Sequence, residues 1–112
     1  MKLIEAIIPP FKLDEVQHAL SKINVHGLTV CEVQEFGRQK GQTIQYRGTT
    51  TTAHFVPKLR LQVVVSDEEA PRVEEALGRS ARTGNVGDGK IFVFTLDHVS
   101  RIRTGEKGNA AL

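Results

Sequence analysis

The stretch best suited to chemistry is Thr83-Gly84-Asn85-Val86-Gly87-Asp88-Gly89-Lys90, which runs straight into Ile91-Phe92-Val93-Phe94. Glycines at 84, 87 and 89 let the backbone turn through conformations with φ > 0 and bring its N–H groups close to a ligand, which is how short loops bind anions. Lys90 sets a cation where the loop enters the next strand. Beyond that strand stand Arg101 and Arg103, whose spacing of two puts both guanidiniums on one face of an extended segment. A glycine loop with these cations suggests a polyphosphate; the plainer alternative is a glycine-rich turn with ordinary surface bases. It is not a P-loop, because the GxxxxGK[ST] spacing is absent and no strand directly precedes it. Asp88 is read as a turn former, with orientation of the loop or contact with a cation as its alternatives.

Further bases gather around this stretch. Arg38, Lys40, Lys58, Lys90, Arg101 and Arg103 border the loops expected at one end of a sheet, or the strand running out of them. A nucleotide triphosphate needs several such groups, since each charge-assisted hydrogen bond adds only about 1.5–3 kcal/mol. Gln39, between two cations, offers a neutral oxygen to a magnesium ion. Acids, bases and nucleophiles for catalysis are poorer. His18 falls in a helix, His26 and His54 flank loops and His98 follows a strand, none paired with a second ligand at metal spacing. Asp14 with Glu15, and Glu68 with Glu69, sit in first helical turns and complement the macrodipole. Cys31 reads as a small buried apolar residue. No enzymatic activity is expected.

The elements that must position these residues follow from the apolar pattern. Lys2–Ile8 is a strand stopped by Pro9-Pro10. Leu13, Val16, Leu20 and Ile23 mark a helix, with Asn24 and Gly27 as its exit. Leu28–Phe36 is a second strand. From Gly37 to His54 no period survives, and a loop of this length inside a compact domain is usually functional or mobile. Lys58–Val65 alternates cleanly, a third strand. Ser66 with Glu69 resembles a capping box, and Pro71 is tolerated only in a first turn, so a helix starting near Glu68 carries the stripe Val73, Ala76, Leu77 and Ala81. Lys90–Leu96 is the fourth strand. The order is the split βαβ pair of an α+β, ferredoxin-like βαββαβ fold with an antiparallel four-stranded sheet and a long loop between strands 2 and 3. Two helices cover one sheet face only. Apolar residues on both faces of the first and fourth strands therefore predict a homo-oligomer packed through the open face.

Composition narrows the class. The chain has 112 residues, enough for one domain that buries a core without staples, and 39% hydrophobic with 25% charged residues is ordinary for a globular protein. A formal charge of +2 is too small to argue for nucleic acid or an anionic membrane, so any basic site is local. One cysteine excludes an intrachain disulfide and fits a reducing compartment. No apolar run approaches a membrane span, and the expectation is a cytoplasmic protein with no membrane insertion.

Assembled, these stretches resemble the PII nitrogen-regulatory signalling proteins from end to end. The resemblance rests on Ile4-Glu5-Ala6-Ile7-Ile8 with Pro10-Phe11-Lys12-Leu13, on Gly37-Arg38-Gln39-Lys40-Gly41, Tyr46-Arg47-Gly48 and Pro57-Lys58, and on Ala81-Arg82-Thr83-Gly84, Gly87-Asp88-Gly89-Lys90-Ile91-Phe92-Val93 and Arg101-Ile102-Arg103-Thr104-Gly105-Glu106. It implies a homotrimer of single-domain subunits, residues 1–112, binding ATP or ADP in clefts between neighbours with 2-oxoglutarate beside the ATP. Gly87, Gly89, Lys90, Arg101 and Arg103 would then hold the phosphates with Arg38, in the loop that contains Asp88, while Thr29 and Val64 line the adenine pocket. Gln39 would coordinate Mg²⁺, and Lys58 would pair with a 2-oxoglutarate carboxylate beside Gln39, Lys40 and Gly41. Residues 37–55 correspond to the mobile T-loop, with Tyr46, Arg47, Gly48, Thr49 and Thr51 facing targets such as an ammonium channel, N-acetylglutamate kinase or nitrogen-regulatory enzymes. Arg47 matches the residue that enters the channel pore in family complexes.

Some positions depart from the family. Thr51 stands where many relatives carry a tyrosine that is uridylylated or adenylylated, which argues against that modification, and Tyr46 does not match the modified position. Thr49 falls where some cyanobacterial members carry a phosphorylated serine; an unmodified, extended tip is the expectation. Four consecutive threonines, 49 to 52, stiffen that tip, and Pro9 replaces a common lysine. Two other functions fit the scaffold. A nucleotide-hydrolysing or phosphotransfer enzyme lacks a convincing base or nucleophile. A single-stranded RNA module would stack bases on Phe92 and Phe94, which are expected to be buried.

Overall fold

The computed structural model describes residues 1–36, 44–46, 49–51 and 55–112. Its main sheet is formed by β1 (Lys2–Ile8), β2 (Thr29–Phe36), β5 (Phe55–Val65) and β6 (Lys90–Thr95) in the order β2-β5-β1-β6. Every neighbouring pair is antiparallel, with Ile4 opposite both Val63 and Val93, and Thr29 opposite Gln62. Helices α1 (Leu13–Lys22) and α2 (Ala70–Ala81) supply the second layer. This is the expected ferredoxin-like arrangement. The core lies between the layers: Ile4, Ala6 and Ile8 of β1 and Leu59, Leu61, Val63 and Val65 of β5 meet Val16 and Leu20 of α1 and Val73 and Leu77 of α2. Alternate residues point to the same face of a strand, so the period-2 pattern of β5 is the cause of this burial.

Helix ends are set by local chemistry. Asn24 adopts φ 64°, and the N–H groups of Asn24 and Val25 donate to the carbonyls of Ser21 and Leu20 at 3.1 and 2.9 Å. These are the two bonds of a Schellman motif, so Asn24 alone ends α1 and Gly27 is not needed. At α2 the Ser66 hydroxyl accepts from the Glu69 N–H at 3.3 Å, half of the expected capping box, and Ala70 begins the helix with Pro71 in its first turn.

Four expectations are corrected. The segment expected to lack secondary structure contains a hairpin, β3 (Ile44–Tyr46) and β4 (Thr49–Thr51), with Ile44 opposite Thr51 and Tyr46 opposite Thr49. Strands of three residues are too short to show alternation, and the β-branched and aromatic residues there favour extended backbone. The third main strand begins at Phe55 rather than Lys58; Pro57 fits because it lies past the last β1 pairing, Ile8 with Leu59, where β5 has one neighbour only. Cys31 is exposed, because it faces away from the helices on edge strand β2, opposite Arg60. Phe92 and Phe94, expected to be buried, are half exposed within one chain, since the sheet face they share with Leu3, Glu5 and Val64 has no helix over it. On that face the Glu5 carboxylate accepts from the Gln62 amide at 2.9 Å and lies 3.8 Å from Arg60.

Candidate functional site

Antiparallel pairing decides which sequence-predicted residues share an end of the sheet. Ile7 of β1 stands opposite both Arg60 and Lys90, and β5 and β6 both begin at this end. Lys58, the glycine loop, Lys90 and the junctions Phe36 and Phe55 therefore cluster here. The rings of Phe36 and Phe55 pack at a centroid distance of 5.3 Å where the 37–54 segment leaves and re-enters the sheet. Arg38, Gln39, Lys40, Gly41, Arg47 and Gly48 lie outside the described residues, and Tyr46, Thr49 and Thr51 are described as backbone only.

The glycine loop is held from inside. Gly84, Gly87 and Gly89 have φ of 87°, 101° and 96°, the left-handed region that other residues rarely adopt. At Gly89 a Cβ would stand 1.7 Å from the Ile7 carbonyl oxygen, so close approach to β1 also demands glycine. The Asp88 carboxylate accepts from the N–H groups of Thr83 and Gly84, both at 2.9 Å, and from the Thr83 hydroxyl. Those bonds, the hydroxyl first and then the Gly84 and Thr83 N–H groups, hold its pKa below the ordinary carboxylate value, with the Arg82 charge adding to them. Asp88 is thus the clasp of the loop's neck, the orienting alternative. Lys58 is 5% exposed and donates from its ammonium to the Gly87 carbonyl. Beside it, a groove of about 590 Å³ lined by Pro10, Glu32, Gln34, Pro57 and Lys58 has room for a small molecule.

The other predicted residues stand at the opposite end. Val64 pairs with Leu3, and six residues of β5 carry the chain about 20 Å from Lys58 at about 3.3 Å per residue. Val64 lines a cavity of about 430 Å³ with His26, Gly27, Ser66, Asn109 and Leu112. Thr29, opposite Gln62, opens β2 at this end. Arg101 and Arg103 follow β6, whose last residue Thr95 pairs with Lys2, so within one chain they lie beyond the far end of that strand from Lys90. Their segment is not extended. The Gly105 N–H donates to the Arg101 carbonyl and the Arg101 N–H to the Glu106 carbonyl, both at 2.8 Å, which makes a tight turn. The Arg101 guanidinium bonds the Glu106 carboxylate at 2.9 Å and the oxygens of Ala110 and Leu112 at 3.4 and 3.2 Å.

Sequence reading missed Thr83, Glu106 and the ammonium-to-carbonyl bond of Lys58. The pairs Thr83 with Asp88 and Arg101 with Glu106 span five residues in irregular backbone, where no periodicity announces a contact. Among the described residues no group of three or more His, Cys, Asp or Glu gathers at metal-binding distance. No described helix is long and apolar enough to cross a membrane.

The fold defines an α+β domain built on a ferredoxin-like scaffold, with a left-handed glycine loop at one end of its sheet. A family model described as nitrogen regulatory protein P-II matches residues 1–106. Proteins named nitrogen regulatory protein P-II from Rhizobium etli, Synechocystis sp. and Pasteurella multocida are 54%, 53% and 51% identical to this chain, each over 112 residues and the whole of both chains. The chain belongs to the P-II nitrogen regulatory family, a family of signal-transduction proteins whose name is that of a regulator rather than an enzyme.

Proposed function

We propose that this protein is a non-enzymatic, cytoplasmic sensor of adenylate charge and 2-oxoglutarate that works as a homotrimer. ATP or ADP would lie in the clefts between neighbouring chains. Its phosphates would rest against Gly87, Gly89 and Lys90, with Arg38, from one chain and against Arg101 and Arg103 of the next. Its base would lie near Thr29 and Val64. The observation that carries the reading is the separation of the two predicted halves by about 20 Å along β5, together with an open sheet face on which Phe92 and Phe94 are half exposed. One chain cannot close the halves on a nucleotide. Two chains meeting through that face can.

The donor set suits a nucleotide: a loop of left-handed glycines flanked by Lys90, and the Arg101 guanidinium bonded to an oxygen of Leu112, a residue that lines a second cavity. A bound nucleotide would supply phosphate charge, and Gln39 would help to hold the Mg²⁺ that accompanies it. Lys58, with Gln39, Lys40 and Gly41, would take 2-oxoglutarate in or beside the groove next to it. The segment 37–55 begins and ends at this ligand-bearing end, so occupancy would bias which of its shapes is populated, and Tyr46, Arg47, Gly48, Thr49 and Thr51 would present that shape to a target. An ammonium channel, N-acetylglutamate kinase or a nitrogen-regulatory enzyme are the target classes. Calorimetry of 2-oxoglutarate with and without MgATP tests the reading. Binding is expected only, or far more tightly, when MgATP is present; equal affinity in both, or none in either, contradicts it.

A further inference from the structure

Lys58 makes a contact that pairing with an effector carboxylate does not explain. Its ammonium is buried and donates to the carbonyl of Gly87, inside the glycine loop. A buried ammonium is stable only when hydrogen-bonded, so cation and carbonyl hold each other in place. Gly87, at φ 101°, has no Cβ to restrict its ψ, the torsion that turns the 87–88 peptide, so the residue itself does little to fix that peptide's direction. The peptide is planar and trans. A Gly87 carbonyl turned toward Lys58 therefore points the Asp88 N–H the opposite way, away from the ammonium. The Asp88 carboxylate meanwhile grips Thr83 and Gly84. One peptide is thus fixed from β5 on one side and across the neck of the loop on the other.

We propose that Lys58 is a positioning residue for nucleotide binding: by holding the Gly87 carbonyl it sets the direction of the 87–88 peptide in the phosphate loop, with no dicarboxylate present. This rests on the nucleotide reading of that loop. It also gives the two ligands a shared part. A carboxylate arriving at Lys58 would reorder the bond to Gly87, so the effector is felt at the phosphate loop through one nitrogen atom, and the nucleotide is felt at the effector site by the same amount.

The test is an ADP titration in the absence of 2-oxoglutarate, on the full chain and on Lys58→Met and Lys58→Arg, with thermal unfolding and assembly size measured alongside. Methionine keeps the stem and removes the donors; arginine restores a donor to the carbonyl. Lys58→Met is expected to bind ADP about ten-fold more weakly, about 1.4 kcal/mol, at unchanged assembly size, and Lys58→Arg to recover most of the loss. The ADP-induced shift of the Asp88 amide resonance should disappear in the methionine variant and return in the arginine variant. Wild-type ADP affinity in Lys58→Met overturns the assignment, as does a loss equal in both variants. If Lys58→Met does not fold, Lys58→Ala takes its place with the same outcomes: wild-type ADP affinity overturns the assignment, and weaker binding that Lys58→Arg restores supports it. A wild-type chain that ignores ADP removes the nucleotide reading itself.

Discussion

At the scale of single residues, the glycine loop is organised by groups that face inward. Asp88 looks from sequence like a turn former, yet its two oxygens take three donors from Thr83 and Gly84. Its folded pKa is held below the ordinary value near 3.9, so the charged form is favoured by folding. The contribution of this group is therefore present above about pH 4 and lost as pH falls through the lower folded value. Amide resonances of Thr83 and Gly84 should accordingly hold steady from neutral pH to about 4 and shift together below it, and in Asp88→Asn that joint acid transition should be absent. Amides that titrate around pH 6, or that titrate identically in the variant, would contradict the clasp. The residue types were legible in the sequence, since three left-handed glycines need glycine wherever they occur. The clasp was not, because an acid reaching back five residues through irregular backbone leaves no period to read.

At the scale of elements, the strands and helices were legible where one face is buried. Leu59, Leu61, Val63 and Val65 alternate because the helices sit over that side of β5, and α2 shows the matching stripe of Val73 and Leu77. Legibility failed at the three-residue strands β3 and β4, too short to show alternation, and at Cys31 on an uncovered edge strand. Helix ends lie between these cases, since Asn24 was a visible stop but its left-handed backbone and two capping bonds come from the structure. Asn24→Gly should keep or slightly raise stability in urea, whereas Asn24→Val should lower it by about 1–2 kcal/mol, the cost of forcing a β-branched residue into the left-handed region. Equal stability of the two variants would mean that the motif does not set the end of α1.

At the scale of the whole molecule, the predicted nucleotide residues fall into two groups at opposite ends of the sheet. The sequence named both groups, and the place of Arg101 and Arg103 beyond the strand that Lys90 opens was legible in it; the turn at 101–105 was not, because residue types do not announce it. Their separation, with Phe92 and Phe94 on an open face, is what the proposed site between neighbouring chains would account for. Complementation tests that sharing most directly. Chains carrying Lys90→Ala and chains carrying both Arg101→Ala and Arg103→Ala are assembled separately, then unfolded and refolded together, and ATP binding is counted by calorimetry. Each variant alone should bind weakly. The mixture should regain a fraction of high-affinity sites, because some clefts then join an intact Lys90 to intact arginines of the neighbour. A mixture that binds no better than its two parts would contradict a site shared between chains.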